Sequence, residues 1–589
     1  MNLLQRYSNI RNYKSYDDFC KNFKLNVPEN FNFGRDVVDE YARLAPQKRA
    51  LVWCNDKGAE RVITFSQLKE LSDKAANLLI SLGIKKGDFV MTMLNRRWEY
   101  WVLAVACHKL GAPLIPATFL LTAKDIEYRV NTANVKLLVV TNENDVINHV
   151  KQAEPALRGL KIFTVSDGTP CTEKTAKNAK GETDSASQNA KNKADSAAQI
   201  GKEKFDNPHG YPDINSAIAA QSGVFTPPWE THNDDLFLTY FTSGTTGYPK
   251  PVSHKFTYPL GFILNAAFWQ CVQDDGLHYT MAETGWAKFS WGAIYGQWIA
   301  GCAVFAYDYF GKFTPTDILP LLTKYKVTSF CAPPTIYRFL IKENLGGKDF
   351  KTVTRCATAG EPLSPEIASK FESITGVKIF EGFGQSESCV LLATFPKWCK
   401  QRFGSMGLPC PLYDIRLLDN DENEVPIGAV GEICIKIKPG QVGLFYKYHN
   451  NEALTEATFA TGIYHTGDLA KRDKDNYYWF VGRKDDIIKS SGYRIGPFEV
   501  ESALIAHKAV AECAITGVPD ELRGQIVKAT IVLQKGYEPS AELIKELQNH
   551  VKVTTAPYKY PRVVEFVKEL PKTVSGKIRR VEIREKDKQ

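Results

Sequence analysis

The sequence lacks the cysteine patterns of a metal-binding or disulfide-bonded protein. Its 13 cysteines are odd in number and scattered, and no two of them stand in a C-x-x-C pair. Closely spaced cysteine pairs are typical of zinc sites, and even sets of cysteines are typical of secreted disulfide frameworks. We therefore expect reduced thiols, with no zinc site and no disulfide framework.

Long apolar runs are also scarce. Residues 1–34 are rich in Asn, Lys and aromatic residues and have no apolar centre, which excludes the pattern of a secretory signal. The most apolar span, residues 101–121, is interrupted by His108, Lys109 and two prolines, so it is more typical of a core helix and a following strand than of a membrane span. We expect no membrane span and a cytoplasmic protein.

The sequence has no long block of Lys and Arg before its last residues, and its net charge is +8 over 589 residues. Nucleic acid is therefore not an expected partner, whereas anionic small molecules suit a mildly positive chain. The 44% apolar and 24% charged fractions are those of a globular protein. The length exceeds what a single core holds, which predicts two or more domains. Whether the chain forms a homo-oligomer is left open.

A loop rich in glycine and hydroxyl side chains follows an apolar strand at residues 236–238. No Walker G-x-x-x-x-G-K-[ST] motif is present, but glycine lets successive backbone N–H groups turn toward one anion. The alternative is a Ser/Thr/Gly-rich surface loop without a ligand. We interpret the stretch as a polyphosphate-binding loop, whose candidate residues are Thr242, Ser243, Gly244, Thr245, Thr246, Gly247 and Lys250.

Helix and strand patterns alternate through the first half of the chain. Helical periodicity begins at Thr64 and again near Trp98, and apolar strand patterns occur at residues 89–94 and 137–141. Such alternation predicts a parallel α/β sheet. Residues 171–206 differ, because they contain almost no large apolar side chains, and we interpret them as a disordered low-complexity insertion.

Five stretches, of which the first is the loop just described, identify a family resemblance when they are taken together and in order. They are Thr242-Ser-Gly-Thr-Thr-Gly-Tyr-Pro-Lys250, Glu381-Gly-Phe-Gly-Gln-Ser-Glu387, Tyr464-His-Thr-Gly-Asp468, Gly482-Arg-Lys-Asp485 and Pro571-Lys-Thr-Val-Ser-Gly-Lys577. From about residue 35 to residue 580 the chain resembles the adenylate-forming superfamily of acyl-CoA synthetases, adenylation domains and luciferases. The stretches 493–502 and 556–562 are most similar to medium-chain acyl-CoA synthetases and acetyl-CoA synthetase-like enzymes.

The resemblance implies an architecture and a reaction. It implies a large N-terminal α/β domain at residues 1–482, with several sheets and packed helices, a hinge at residues 483–486, and a small mobile α+β domain at residues 487–589. The implied reaction joins a carboxylic acid to CoA through an acyl-AMP intermediate, using ATP and Mg²⁺. The acid is expected to be medium-chain or short and branched, and acetate, propionate or an aryl acid are alternatives. A carrier protein as acceptor and a nucleotide-binding regulator without turnover are the rival functions.

The resemblance also implies roles for residues of the large domain. Glu387, together with Thr245, would hold Mg²⁺, and Asp468 and Arg483 would contact the ribose. Trp286 would border the channel for the acid and the pantetheine arm. The usual family residue at position 386 is threonine, so Ser386 keeps the hydroxyl. The other nucleotide-site candidates are Gly360, Glu361, Pro362, Glu381, Gly382, Phe383, Gly384, Gln385 and Ser386. Taken alone, each of these residues would be a surface charge or an ordinary turn.

In the small domain, the resemblance makes Lys577 the catalytic lysine of adenylation and Arg494 a phosphate-binding residue. Asp485 would be the pivot about which the domain turns between the two half-reactions. Acetylation of Lys577 would silence the first of them. The candidate CoA contacts are Ser491, Gly492, Tyr493, Arg523, Tyr560 and Arg562.

Overall fold

The computed structural model describes residues 3–165, 210–242, 249–311, 314–343, 345, 349–491, 493–572 and 578–587, and of Asn144 and Arg494 it describes the backbone alone. The insertion predicted at residues 171–206 lies outside the described residues. The described residues form two large sheets followed by a smaller one. The large α/β part and the smaller α+β part have the fold class that the sequence predicts.

The first sheet has seven strands in the order β18-β8-β7-β4-β3-β5-β6. Its core from β7 to β6 is parallel, and β8 and β18 add antiparallel strands at one edge. All side chains of β3, β4 and β5 are buried, as expected for parallel strands that are covered on both faces. The strands are β3 Val90–Met93, β4 Leu114–Pro116, β5 Leu137–Thr141, β6 Lys161–Val165, β7 Leu236–Thr242, β8 Lys250–Lys255 and β18 Lys447–Tyr448.

The second sheet has 13 strands in the order β16-β17-β19-β20-β15-β14-β13-β12-β11-β9-β10-β1-β2. Strands β13, β12, β11, β9, β10 and β1 are parallel, and the strands on either side of them are antiparallel. The strands are β1 Arg49–Asn55, β2 Glu60–Thr64, β9 Leu277–Thr280, β10 Ala303–Asp308, β11 Ser329–Cys331, β12 Arg355–Thr358, β13 Ile379–Phe383, β14 Leu392–Ala393, β15 Ser405–Pro409, β16 Asp414–Leu418, β17 Val430–Lys436, β19 Ile463–Arg472 and β20 Tyr478–Arg483.

Helices cover the faces of both sheets. The predicted helix at Thr64 is confirmed, because Thr64 and Gln67 form a capping box at the start of Phe65–Ser81. The helix predicted near Trp98 runs over Glu99–Leu110, and all its side chains are buried. The other α-helices before residue 484 are Leu4–Tyr7, Tyr16–Asn22, Glu40–Leu44, Ala123–Ala133, Asn144–Ala153, Ile214–Ala219, Tyr258–Leu264, Ala287–Gly292, Tyr295–Ile299, Pro315–Lys324, Pro334–Leu340, Pro365–Thr375 and Glu452–Phe459, with π-helical turns at Gly34–Asp39 and Asn265–Trp269 and a 3₁₀ turn at Glu154–Ala156.

The span predicted to be a core helix and a strand is confirmed as such. The helix Glu99–Leu110 ends at Gly111, which adopts φ +78°, and β4 follows. Among the residues that the structure describes, no helix has the length and apolar character needed to cross a membrane.

The small C-terminal sheet begins at Ile488 and has its own core. Strands β22, β21, β24 and β23 lie side by side, and β25 adds to β24. Leu504, Ile515, Ile531 and Leu547 are among the buried residues of that core. The strands are β21 Ile488–Ser490, β22 Tyr493–Ile495, β23 Val510–Asp520, β24 Gly524–Leu533 and β25 Val563–Phe566; the α-helices are Pro497–Ile505, Ala541–Thr554 and Arg580–Lys586, and a 3₁₀ turn covers Pro557–Lys559.

Four residues, 484–487, connect the second sheet, whose strand β20 ends at Arg483, to the small sheet, which begins at Ile488. Asp485 Oδ1 lies 3.4 Å from Arg483 Nε, so this carboxylate pairs with the end of β20. Asp486 instead pairs with Arg584, at 2.5 Å, on the last helix. The two neighbouring carboxylates thus pair with different parts of the fold, Asp485 with the end of β20 and Asp486 with the last helix. The domain limits at residues 482 and 487 stay a prediction.

Candidate active site

Three side chains from separate motifs, Gln385, Asp468 and Arg483, meet near the middle of β19. Asp468 and Arg483 are opposite each other on β19 and β20, with Arg483 Nη1 3.4 Å from Asp468 Oδ1. Gln385 Nε2 donates to Asp468 Oδ2 over 2.6 Å, and Tyr464 donates from its hydroxyl to Gln385 Oε1 over 2.7 Å. Asp468 is 6% exposed. The carboxylate is therefore held in one orientation by a neighbouring cation and an amide, as a group that binds vicinal hydroxyls requires.

The loop before Asp468 is supported from two sides. Gly467 has φ +72°, and a Cβ there would lie 2.8 Å from Arg483 Nη2, so the guanidinium packs on the glycine backbone. Arg483 Nη1 donates to the carbonyl of Thr466 over 2.9 Å. Glu432 Oε1 accepts from the backbone N–H of Gly467 over 2.9 Å on the other side. Only glycine fits between these groups with that backbone.

The glycines of the motif at 381–387 are required by two tryptophans. A Cβ on Gly382 would lie 2.6 Å from the ring of Trp269, and one on Gly384 would lie 2.5 Å from the ring of Trp291. Phe383 points away from them toward Phe480, with 6.5 Å between the ring centroids. The two glycines thus pack tightly against tryptophan rings, whereas Phe383 between them faces β20.

Glu387 lies at the end of this motif and is partly exposed. Burial raises the pKa of Glu387, whereas the cations Arg483 and Lys250 lower it. The backbone of the motif is fixed nearby, because His254 Nε2 donates to the carbonyl of Ser386 over 2.7 Å and Phe445 donates to the carbonyl of Glu387 over 2.7 Å. A carboxylate whose charge is incompletely compensated fits a divalent cation such as Mg²⁺.

The predicted phosphate loop connects β7 to β8. Thr242 and Lys250 are opposite each other at its two ends, and the Thr242 hydroxyl donates to the carbonyl of Lys250 over 3.4 Å. Lys250 Nζ lies 5.6 Å from the centre of the Tyr448 ring. Ser243, Gly244, Thr245, Thr246 and Gly247 lie outside the described residues. At the described end of the loop, the positive charge of Lys250 is close enough to Glu387 to lower the pKa of that carboxyl.

The predicted adenine loop lies beside the 381–387 motif because β12 and β13 are parallel neighbours, with Thr358 opposite Glu381. Gly360 has φ +97°, a backbone that favours glycine. Glu361 Oε2 accepts from the hydroxyl of Thr335 over 3.0 Å, and Pro362 follows it. Glu381 Oε1 accepts from the N–H of Leu363 over 3.4 Å, and burial raises the pKa of Glu381 to about 8.

Trp286 begins the short helix Ala287–Gly292 and is partly exposed. Its N–H donates to the carbonyl of Glu283 over 3.2 Å, and Glu283 Oε1 accepts from the N–H of Phe119 over 3.2 Å. Two residues further along, Lys288 Nζ donates to the carbonyl of Ala359 over 2.7 Å. The helix therefore runs from Trp286, past the adenine loop, to Trp291 at Gly384.

Three residues of this region were missed by sequence reasoning. Tyr464 contacts Gln385 and Lys288 contacts Ala359. Trp291 packs on Gly384. Tyr464 stands inside a motif that the sequence revealed, so its position was a usable signal. A lysine within an apolar aromatic stretch was a second signal. For Trp291 the sequence offered none, because its partner is 93 positions away.

Of the candidate CoA contacts that the structure describes, Ser491 and Tyr493 are exposed, and Arg523, Tyr560 and Arg562 are partly exposed. Ser491 adopts φ +49°, and its N–H donates to the carbonyl of Arg523 over 3.0 Å. Tyr493 stacks on Tyr558 with ring centroids 4.1 Å apart. Tyr560 lies between two cations, Lys552 at 4.2 Å and Arg562 at 4.5 Å from its ring centre. Gly492, the Arg494 side chain and Lys577 lie outside the described residues.

Two family models match the chain, one within the large α/β part of the fold and the other within the small C-terminal part. The model described as AMP-binding enzyme matches residues 38–446, and the model described as AMP-binding enzyme C-terminal domain matches residues 499–577. The human protein named acyl-coenzyme A synthetase ACSM3, mitochondrial, is 38% identical over 592 residues, covering 99% of this chain and 94% of its own length. Human acyl-coenzyme A synthetase ACSM4, mitochondrial, is 38% identical over 572 residues, covering 95% and 91%.

Solved structures share the fold over almost the whole chain. The anthranilate CoA ligase AuaEII in complex with anthranoyl-AMP superposes with a TM-score of 0.80 at 26% identity, covering 95% of this chain and 98% of its own. The Brucella canis acyl-CoA synthetase superposes with a TM-score of 0.69 at 29% identity, covering 97% and 99%. The similarity therefore spans both the large and the small sheets.

The cytoplasmic location expected from the sequence is wrong by this comparison, because the similar human, mouse and rat proteins are all named as mitochondrial. Scattered, unpaired cysteines indicate a reducing environment, and that property does not distinguish the cytosol from other reducing compartments. Composition alone therefore supported a conclusion that was too narrow.

Proposed function

Because this chain belongs to the AMP-binding enzyme family, we propose that it is an AMP-forming acyl-CoA synthetase, converting a carboxylic acid, ATP and CoA into acyl-CoA, AMP and diphosphate. The observation that carries this proposal is the convergence of Gln385, Glu387, Asp468 and Arg483 at one place in the fold. A buried carboxylate beside a guanidinium is suited to a ribose, and a second carboxylate near Lys250 is suited to the phosphates and their metal ion.

In the first step, the acid attacks the α-phosphorus of ATP and diphosphate leaves. Asp468, oriented by Gln385, accepts from the ribose hydroxyls, and Arg483 supports that loop. Gly360, Glu361 and Pro362 line the adenine with Phe383. Lys250, Thr242 and the loop between them bind the phosphates. Glu387 and Thr245 would hold Mg²⁺, which supplies charge neutralisation at the phosphates.

In the second step, the CoA thiol attacks the acyl carbon and AMP leaves, while the thiol proton passes to solvent. Lys577 serves the first step and the loop around Gly492 serves the second, so the small domain must present two different faces. Asp485 is the proposed pivot. The proposed CoA contacts are Ser491, Gly492, Tyr493, Arg523, Tyr560 and Arg562, and Arg494 is the proposed phosphate-binding residue.

We propose a medium-chain or a short, branched carboxylic acid as substrate, and a mitochondrial location like that of the named relatives. An aryl acid is the second candidate, since a similar solved structure is an anthranilate CoA ligase with anthranoyl-AMP. Acetylation of Lys577 would remove the charge of its side chain and so prevent the first step. Mass spectrometry of the protein from its own cells would detect the acetyl group.

The test is AMP release over a panel of acids, each with and without CoA. The panel contains acetate, propionate, straight-chain acids of increasing length, branched acids and benzoate. We expect AMP and acyl-CoA in equal amounts for one group of acids. Nucleotide binding without release of diphosphate or AMP with any acid would replace the proposal with a regulatory function. Diphosphate release without acyl-CoA formation would show that acyl-AMP forms but is not transferred to CoA, as expected for a carrier-protein acceptor.

A further inference from the structure

Three possible metal ligands meet on the neighbouring strands β17 and β19 of the second sheet. Glu432 and Cys434 are two positions apart on β17, and His465 is directly opposite Cys434 on β19. Cys434 Sγ is 3.3 Å from His465 Nδ1, and Glu432 Oε2 is 3.2 Å from the same nitrogen.

These distances suit a tetrahedral metal ion. Zinc bonds of about 2.3 Å to sulfur and about 2.0–2.1 Å to nitrogen and oxygen separate neighbouring donors by about 3.3–3.6 Å. Among the described residues, Glu432, Cys434 and His465 are the one group of three or more His, Cys, Asp or Glu residues whose donor atoms all lie within 4.8 Å of one another. The donor set therefore needs little movement to surround an ion.

The orientation of His465 supports the same interpretation. Its second nitrogen, Nε2, faces Glu422 Oε1 at 3.3 Å. Histidines that bind metal through one nitrogen commonly donate from the other to a carboxylate, which fixes the ring and makes it a stronger ligand. Glu432 and Cys434 are buried, whereas the His465 side chain is 35% exposed. An ion can thus enter from solvent past the histidine.

We propose that Glu432, Cys434 and His465 form a zinc-binding site with its fourth position open to water. The cysteine spacing led us to expect no zinc site, but these ligands stand on two strands and Cys434 and His465 are 31 positions apart. On binding, the Cys434 thiol gives its proton to solvent and its sulfur bonds to the ion as thiolate. No electron transfer takes place.

Zinc binding would compete with the hinge. Glu432 Oε2 accepts from Lys484 Nζ over 2.9 Å, and Lys484 stands between Arg483 and Asp485 in the predicted hinge. The same carboxylate supports Gly467, next to Asp468. An ion on Oε2 displaces the ammonium, so we expect zinc to reduce AMP formation by an enzyme that is active without it.

Cobalt titration of the full-length protein tests the site without reference to activity. Co²⁺ bound to a thiolate in a tetrahedral site has a near-ultraviolet charge-transfer band and intense visible bands. We expect one equivalent with this spectrum, which Zn²⁺ abolishes by displacement. Cys434→Ser and His465→Asn should lose the spectrum, whereas Cys271→Ser, at a partly exposed cysteine outside the site, should keep it.

Two further variants sharpen the test. Glu422→Gln should weaken cobalt affinity about 10- to 100-fold, as loss of an orienting carboxylate does in other sites. Lys484→Met should strengthen it, because the competing ammonium is gone. An octahedral spectrum only, or a spectrum unchanged in a folded Cys434→Ser protein, would overturn the proposal. Zinc inhibition that persists in Cys434→Ser would overturn the coupling to the hinge.

Discussion

The nucleotide side and the CoA side of the candidate site are held in different ways. Asp468 is 6% exposed and bonded to Gln385, with Arg483 beside it, whereas Tyr493 is 50% exposed and contacts Tyr558 by stacking. The first group is fixed before any ligand arrives, which saves the entropy of ordering it. The second group lies on the domain that is proposed to turn. The comparison indicates a rigid nucleotide site to which the small domain delivers its residues.

The largest effect is expected at the residue delivered for adenylation. Lys577→Ala should slow pyrophosphate exchange about 10²- to 10³-fold, by analogy with loss of one transition-state donor, and should leave the reaction of synthetic acyl-AMP with CoA intact. Lys572→Ala is the matched control on the same stretch, because Lys572 pairs with Glu512 at 2.8 Å. Exchange at the normal rate in Lys577→Ala would remove this lysine from the mechanism.

The rigid side is tested at its central carboxylate. Asp468→Asn keeps the shape but loses the charge, and hydrogen bonds to charged groups contribute about 1.5–3 kcal/mol. The kcat/KM for ATP should therefore fall about 10- to 100-fold. Asp414→Asn, at a partly exposed carboxylate paired with Arg416, should leave it unchanged. An unaltered value in Asp468→Asn would mean that the ribose lies elsewhere.

The hinge separates the two sides. Asp485→Pro fixes φ near −65° and should impair one half-reaction about tenfold or more while sparing the other. Asp485→Ala removes the carboxylate that faces Arg483 but keeps backbone freedom, so it should support both half-reactions. Equal losses in both half-reactions of the proline variant would argue against a pivot at this residue.

A smaller effect is expected at the exposed stack. Tyr493→Ala should raise the KM for CoA about 3- to 10-fold, since an aromatic pair contributes about 0.5–1.5 kcal/mol beyond area burial. The KM for ATP should not change. Leu522→Ala, at a side chain that is 90% exposed in the same domain, serves as the control. An equal rise in the KM for ATP and the KM for CoA would contradict the separation of the nucleotide side from the CoA side.

The last prediction concerns stability and pH rather than catalysis. Burial raises the pKa of Glu381 to about 8, against an ordinary value of 4.5. Between these values the unfolded chain has lost this proton and the folded chain keeps it, so this group lowers the free energy of unfolding as pH rises. Glu381→Gln should therefore gain thermal stability relative to the natural protein from pH 5 to pH 8. A constant difference across that range would show that Glu381 does not titrate there.

Much of the fold follows from local patterns. The capping residues Thr64 and Ser540 and the apolar strand at residues 137–141 each determine a nearby element by short-range physics, and the structure has all of them. The order of the motifs also predicted that residues around Gln385 and Asp468 would share one site. The capping and strand patterns are local to the elements they specify, whereas the motif order acts through the family resemblance.

The remaining features depend on contacts between distant residues. Nothing near Trp291 in the sequence indicates Gly384 as its neighbour, and nothing near Cys434 indicates His465. The second contact results from the pairing of β17 with β19, and the first from the packing of the helix Ala287–Gly292 against the 381–387 motif. Local periodicity contains neither. Cellular location could not be predicted from composition either, because a composition that fits one reducing compartment also fits other reducing compartments.

The central claim is that an acid is activated by cleavage of ATP between its α and β phosphorus atoms. Incubation of the purified protein with ATP labelled in the α-phosphate, the acid panel and CoA tests it directly. We predict labelled AMP, with one acyl-CoA formed for each AMP. Labelled ADP, or no cleavage with any acid of the panel, would contradict the account.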